Sequence, residues 1–248
     1  MCRRGHPPSV KSMTETKNAV ITGASRGLGL ALARGLAADG WSLVIDARDG
    51  EALRSAAASL PGSARVIPLP GDITDPAHRA ALRDAAEDLG GADLLINNAG
   101  TLGASPLPAI ADYPIAELRE AFEVNVLAPL ALTQLLLPAL RRRGGAVLSI
   151  TSDAAVEPYA GWGGYGAAKA ALEQASNVLA AEENVARVWW VDPGDMRTRM
   201  HQDAFPGEDI SDRPEPASVV PAFLDLIESD RPSGRYRAAE LVTTGVTS

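Results

Sequence analysis

Tyr165 and Lys169 stand four residues apart in a stretch with helical spacing, which puts their side chains on one face. A phenol, with a pKa of about 10, is a poor proton-transfer group near neutrality. An ammonium beside it stabilises the phenolate and draws that pKa towards working pH, which suits the pair to general acid–base chemistry. Taken on spacing alone, the same two residues read as a boundary pair on an amphipathic helix. Ser152 directly follows the apolar run GAVLSIT (145–151), thirteen residues before Tyr165. Its hydroxyl can donate to an oxygen on which negative charge develops. Strand alternation turns Thr151 to the opposite side, and Ser149 lies too deep in the run. A second constellation is TGASRGLG (22–29), where Gly23, Gly27 and Gly29 follow one apolar run and open a helical stretch. Glycines let the backbone turn sharply and approach a pyrophosphate, whose charge then meets the N–H groups and dipole of the helix. A plain glycine-rich turn is the alternative. Strand, turn and helix in this order favour the phosphate cradle.

These residues need a frame, and the chain supplies one. Short apolar runs at 18–22, 41–46, 64–69, 92–97, 145–151 and 186–191 alternate with helical stretches at 26–39, 50–59, 76–89, 115–142 and 165–182. Runs of that length, apolar throughout, read as strands buried on both faces of a parallel sheet. Their alternation with helices predicts an α/β fold, a single doubly wound parallel sheet (Rossmann fold) with helices on both faces. A last helix at about 217–228 and a short strand at 234–241 would close it. Residues 197–217 carry prolines, Gly207 and charges without periodicity, and read as a lid or binding loop.

Composition narrows the partners. The chain has 248 residues, enough for one large domain, with 31 acidic against 23 basic side chains and a net charge of −8. Apolar residues at 46% and charged residues at 22% argue against long disorder. No basic block is present, which disfavours nucleic acid and anionic membrane as partners. A single cysteine, Cys2, excludes an intramolecular disulfide framework, and no Cys/His cluster suggests a zinc site. The longest apolar stretch, 127–140, carries Thr133, Gln134 and two prolines and is too short to span a bilayer. Residues 1–12 have no apolar core and so do not read as a secretory signal. We read 1–16 as a disordered extension, with Met13 an alternative start, and 17–248 as one domain of a cytoplasmic protein.

Further motifs follow in order: Asn97-Asn98-Ala99-Gly100, Asn125, Ser152, Tyr165-xxx-Lys169 and Pro193-Gly194. With the GxxxGxG spacing of the glycines, this set resembles the short-chain dehydrogenase/reductase family over nearly the whole chain after residue 17. The resemblance implies a catalytic tetrad of Asn125, Ser152, Tyr165 and Lys169. In it Tyr165 protonates a carbonyl oxygen, Lys169 also holds the nicotinamide ribose hydroxyls, and Asn125 interrupts a helix and holds a water. It implies cofactor contacts from Gly23, Ser25, Arg26, Gly27, Leu28 and Gly29, and from Asn98, Ala99 and Gly100. Asp72 would accept from the adenine amino group, with Ile73 beside it, unless it is a turn or cap aspartate before Pro76. Pro193, Gly194, Met196 and Thr198 would line the nicotinamide.

The position that selects NAD in the family falls on Ala47, followed by Arg48. A ribose hydroxyl wants a carboxylate and a 2′-phosphate wants a guanidinium, so Arg26 and Arg48 predict NADP(H). Asp46 sits one residue earlier, where alternation turns it to the other face; it reads as a strand-end residue bonding a neighbouring loop in preference to a ribose reader. His201 reads as solvated, and His78 and His6 as surface residues. The expected activity is NADP(H)-dependent hydride transfer between nicotinamide and a carbonyl or secondary alcohol. Non-redox chemistry on the same fold (dehydration, epimerisation or cyclisation) and an NADP-sensing regulator are the alternatives. The substrate pocket would draw on Thr101, Leu102, Asp153, Ala154, Tyr159, Trp162, Met196 and the lid. The tail SGRYRAAELVTTGVTS lacks the family's Asp-Gly-Gly turn, which favours a homodimer over a homotetramer. In that dimer the helix around Asn125 and the helix carrying Tyr165 would pair across a two-fold axis.

Overall fold

The computed structural model describes residues 16–62 and 65–241. The expected extension, with Cys2, His6 and Met13, lies outside the described residues apart from Thr16, as do Ser63, Ala64 and the last seven residues. Seven parallel strands form one sheet in the order β3-β2-β1-β4-β5-β6-β7. They are β1 (Asn18–Ile21), β2 (Ser42–Ala47), β3 (Val66–Pro70), β4 (Leu94–Asn97), β5 (Ala146–Ile150), β6 (Arg187–Asp192) and β7 (Gly234–Arg237). The Rossmann-type doubly wound sheet is therefore present.

Alternation along the strands splits the core into two layers. Ile21, Ile45, Ile96 and Leu148 pack on one face with Leu32 of α1 (Gly27–Ala38) and Phe223 of α8 (Val220–Glu228). Their neighbours Val20, Val44, Leu95 and Val147 pack on the other with Leu82 of α3 (Pro76–Asp88) and Leu136 of α5 (Ala128–Arg143). Both edge strands are only partly buried, and β3 bears Pro68 and Pro70, which an edge tolerates because fewer ladder donors are needed there. Asp49 caps α2 (Gly50–Ala58), and Asp75 caps α3 ahead of Pro76.

Two elements depart from the sequence reading, and a third, the helix interrupted at Asn125, follows it. The single helix expected over 115–142 is α4 (Ile115–Phe122), a π turn (Glu123–Leu127) and α5, so Asn125 sits where the helix widens. This continuous helical stretch, Ile115–Arg143, is long and apolar enough to cross a membrane by length and composition, yet 56% of its most apolar window is buried inside the protein. The aperiodic segment 197–217 contains a short helix, α7 (Arg199–Ala204), too brief to declare a period. The last strand stops at Arg237, and Ala238–Leu241 turn into a helix, α9. The strand order reverses between β1 and β4. In open α/β sheets the binding crevice lies outside the carboxyl ends of the strands at such a reversal.

Candidate active site

Thr22 follows β1 and fastens the crevice floor. Its Oγ1 accepts from the N–H groups of Asn98 and Ala99, both at 3.0 Å, and Asn98 Nδ2 donates back to the Thr22 carbonyl at 2.8 Å. The glycine turn and the Asn98-Ala99-Gly100 segment thus form one unit. Gly23 has φ +67°, and a β-carbon on Gly29 would lie 2.4 Å from the Gly23 carbonyl oxygen. Only glycines allow so tight a turn. Leu28 is buried under it, whereas Arg26 is exposed at the N-terminus of α1 and Ser25 is partly exposed. Thr198 lies across the turn, its Cγ2 3.7 Å from where a Gly27 β-carbon would stand.

The carboxyl end of β5 and the first turns of α6 (Gly163–Glu182) bring Ser152, Tyr165 and Lys169 together. Lys169 is 3% exposed and donates to the Ile150 carbonyl at 2.8 Å. Its Nζ is 5.5 Å from the Tyr165 ring centre. Burial pulls the Lys169 amine down to about 8, opposed by the Glu173 carboxylate. The same burial pushes the Tyr165 phenol well above its usual range, helped by the charges of Asp192 and Asp153, while a hydrogen bond with Ser152 acts the other way. That corrects the expectation of a phenol drawn down by Lys169: within the chain, desolvation and the two carboxylates set the direction. Ser152 Oγ is 3.0 Å from Asp153 Oδ1, to which it donates, and it accepts from Ala154 N at 3.2 Å. Thr151 points elsewhere, donating to Glu173 at 2.7 Å. Asn125 is fully buried and grips Thr101, donating to its carbonyl at 2.8 Å and accepting from its N–H at 3.0 Å.

Comparison with known proteins agrees with this arrangement. Residues 17–209 match the family described as short chain dehydrogenase. The chain belongs to the short chain dehydrogenase family. It is 37% identical over 198 residues to sepiapterin reductase of Bos taurus, covering 74% of each chain. Serine 3-dehydrogenase of Rhizobium radiobacter is 34% identical over 179 residues, covering 71% of this chain and 70% of that one. Among solved structures, a short-chain dehydrogenase from Streptomyces avermitilis superposes with a TM-score of 0.78 at 31% identity, covering 92% of this chain and 91% of its own. An alcohol dehydrogenase from the archaeon Thermococcus sibiricus, complexed with 5-hydroxy-NADP, gives 0.82 at 28%, covering 90% and 96%. The short chain dehydrogenases are oxidoreductases, and so is this protein.

The remaining expected contacts of this short chain dehydrogenase lie around the same crevice. Arg48 is exposed just past β2. Asp72 is exposed, and its carboxyl is held below the usual range first by the Thr74 N–H, then by the Thr74 hydroxyl. Its Oδ1 closes a turn with Thr74, and the helix cap is Asp75; Ile73 is buried beside it. Met196 is buried, Pro193 is partly buried, Gly194 is exposed, and the Thr198 hydroxyl is engaged in capping α7 by accepting from His201 N at 3.1 Å. Two histidine readings are corrected. His78 is buried against Asp46 because α3 lies over the end of β2. His201 is not solvated, since its ring packs against Phe205 with centroids 4.9 Å apart and a 42° tilt, and its side chain is 10% exposed. The segment around α7 also carries more apolar contact than its composition suggested. Ala204, Met200 and Phe205 pack on Leu102, Trp162 and Tyr165, and Ser105 Oγ donates to the Asp203 carbonyl at 2.8 Å.

Sequence reasoning missed a charged brace behind Ser152. Arg235 of β7 donates to Glu173 at 2.9 Å and to the Ser152 carbonyl at 3.3 Å, and it lies 3.6 Å from Asp192. Glu173 follows Lys169 by four residues and was findable from helix spacing. Arg235 had no local signal, because only the β6–β7 pairing brings it there.

Proposed function

We propose that the protein is an NADP(H)-dependent oxidoreductase that interconverts a carbonyl compound and a secondary alcohol, acting as one unit from Lys17 onward. The observation that carries this reading is the pairing of Tyr165 with Lys169 beside Ser152, both buried at the crevice. When bound, the nicotinamide supplies or accepts the hydride. In reduction Tyr165 donates its proton to the substrate oxygen, and its burial keeps the phenol protonated, the state a donor requires. Ser152 Oγ, whose one proton goes to Asp153 Oδ1 in the free chain, turns it to the same oxygen on substrate binding and offsets charge that develops there. Lys169 retains its ammonium below about pH 8, holds the ribose hydroxyls and stabilises the phenolate that remains. Asn125 keeps the Thr101 peptide in place at the crevice wall. The close-packed glycine turn, which a β-carbon at Gly23 or Gly29 would fill, fits a pyrophosphate. The exposed guanidiniums of Arg26 and Arg48 fit a 2′-phosphate.

The segment 197–217 is the substrate lid, excluding water once substrate and cofactor are bound. Hydrogen exchange on apo, NADPH-bound and ternary samples is expected to show protection growing there, and full protection in the apo protein would make it a fixed wall. Exposed Leu127 and Val178, on the two helices expected to pair, support a dimer, which light scattering checks. The activity is tested by following NADPH absorbance against a panel of aldehydes and ketones. Cofactor oxidation matched by alcohol formation supports the reading. Product formed with no net change in the cofactor would replace it with non-redox acid–base chemistry.

A further inference from the structure

We propose that His78 is a positioning residue that sets cofactor specificity, by occupying a buried carboxylate that would otherwise oppose a 2′-phosphate. The inference rests on the NADP(H) reading above. Asp46, near the end of β2, is 2% exposed, and both its oxygens are engaged inside the protein. Oδ1 accepts from the N–H of Gly23, the first glycine of the cradle, at 2.8 Å, and the main-chain oxygen of Asp46 accepts from Ala24 N, also at 2.8 Å. Oδ2 is 3.1 Å from Nε2 of His78, in the first turn of α3. An ionised carboxylate only accepts, so Nε2 carries the proton in this contact. Gly71 makes room for the ring, since a β-carbon there would lie 2.2 Å from His78 Nδ1. One histidine therefore braces both walls of the adenosine end, the glycine turn through Asp46 and the β3–α3 loop through Gly71. Asp72, next in that loop, lies within electrostatic reach of both Arg48 and His78.

The chemistry follows from the acceptor count. A carboxylate at the end of the second strand with an unused oxygen accepts from a ribose hydroxyl and repels a phosphate. Here Gly23 and His78 leave no oxygen unused. Asp46 is silent toward the ribose, and the exposed arginines decide. Removing the imidazole frees Oδ2 and leaves the carboxylate's charge behind the cradle without its second donor, while Oδ1 keeps its bond from Gly23.

The test titrates the full chain and two variants with NADPH and with NADH by calorimetry, and measures kcat at saturating NADPH. In His78→Met, which fills similar volume without a donor, the NADPH-to-NADH affinity ratio is expected to fall about tenfold, the weight of one hydrogen bond to a charged group. Turnover at saturating NADPH should stay within about twofold, because the reacting groups are untouched. His78→Gln, whose amide N–H can reach the carboxylate, is expected to recover most of the ratio and remains informative if the methionine variant does not fold. An unchanged ratio in a folded His78→Met protein, equal losses for both cofactors, or a ratio in His78→Gln as low as in His78→Met overturns the role of His78. Tighter binding of NADH than NADPH by the unsubstituted protein overturns the NADP(H) reading instead.

Discussion

At the β1–β2 end of the crevice the polar groups satisfy one another. Thr22, Gly23, Asn98 and Asp46 exchange hydrogen bonds that each pair a side chain with a main-chain group, and the glycines are fixed by close approach. Around β5 and β6 the arrangement is different. Tyr165 and Lys169 are buried with few partners, and burial disfavours the charged form of each, which shifts the phenol upward and the amine downward. One end is a shape that many anions could enter; the other is an electrostatic device with two groups displaced from their ordinary titration. Binding should therefore respond to substitutions that change shape or charge at the first end, and turnover to single atoms at the second.

Removing the Tyr165 hydroxyl is the strongest test of that division. Tyr165→Phe keeps the ring that packs edge-on against Trp162 at 5.7 Å, so the fold should survive. Turnover is expected to fall by about 10²–10⁴-fold, the usual weight of a general acid, with NADPH affinity unchanged by titration. Near-normal turnover would take the tyrosine out of the mechanism. The converse substitution lies at the other end. Arg48→Ala should weaken NADPH by about 1.5–3 kcal/mol, the range of a hydrogen bond to a charged group, and barely affect NADH. Calorimetry with both cofactors reads it, and equal losses would mean that Arg48 does not see the 2′-phosphate.

The same division explains what was legible in the sequence. Glycine spacing, the Asn98-Ala99-Gly100 segment and the Tyr165/Lys169 pair are local patterns, and the structure brings them to one crevice. Strand positions were legible because fully buried parallel strands are apolar on both faces. What escaped depends on distant pairing. His78 reads as a polar residue opening a helix, and only α3 packing over β2 reveals its contact with Asp46. Arg235 reaches Ser152 from 83 positions away. The segment around α7 read as an aperiodic loop because six helical residues cannot display a period, while its contacts with Trp162 and Tyr165 are tertiary. The direction of the Tyr165 shift was misread for a related reason. Spacing shows the neighbouring ammonium, but only the folded chain shows how completely the phenol is desolvated.

The smallest expected effect concerns Glu173, whose carboxylate acts on Lys169 against burial. With the amine at about 8, the ammonium is present below that pH and lost above it, so turnover in the reducing direction should fall as pH rises through about 8. Tyr165 contributes no loss in that window, because its phenol is shifted upward and stays protonated. In Glu173→Gln the ammonium loses a favourable charge, and the alkaline limb is expected to move to lower pH by about half a unit to one unit. Arg235 and Thr151 both donate to the Glu173 carboxylate, at 2.9 and 2.7 Å, and offset part of its charge, which keeps the expected shift small. A pH profile of kcat at saturating NADPH, run on both proteins, separates the possibilities. A limb at lower pH in the variant ties Glu173 to the lysine. A limb at the same pH with reduced kcat throughout would make Glu173 a brace for Arg235 and Ser152, and the electrostatic contrast between the two ends would then rest on burial alone.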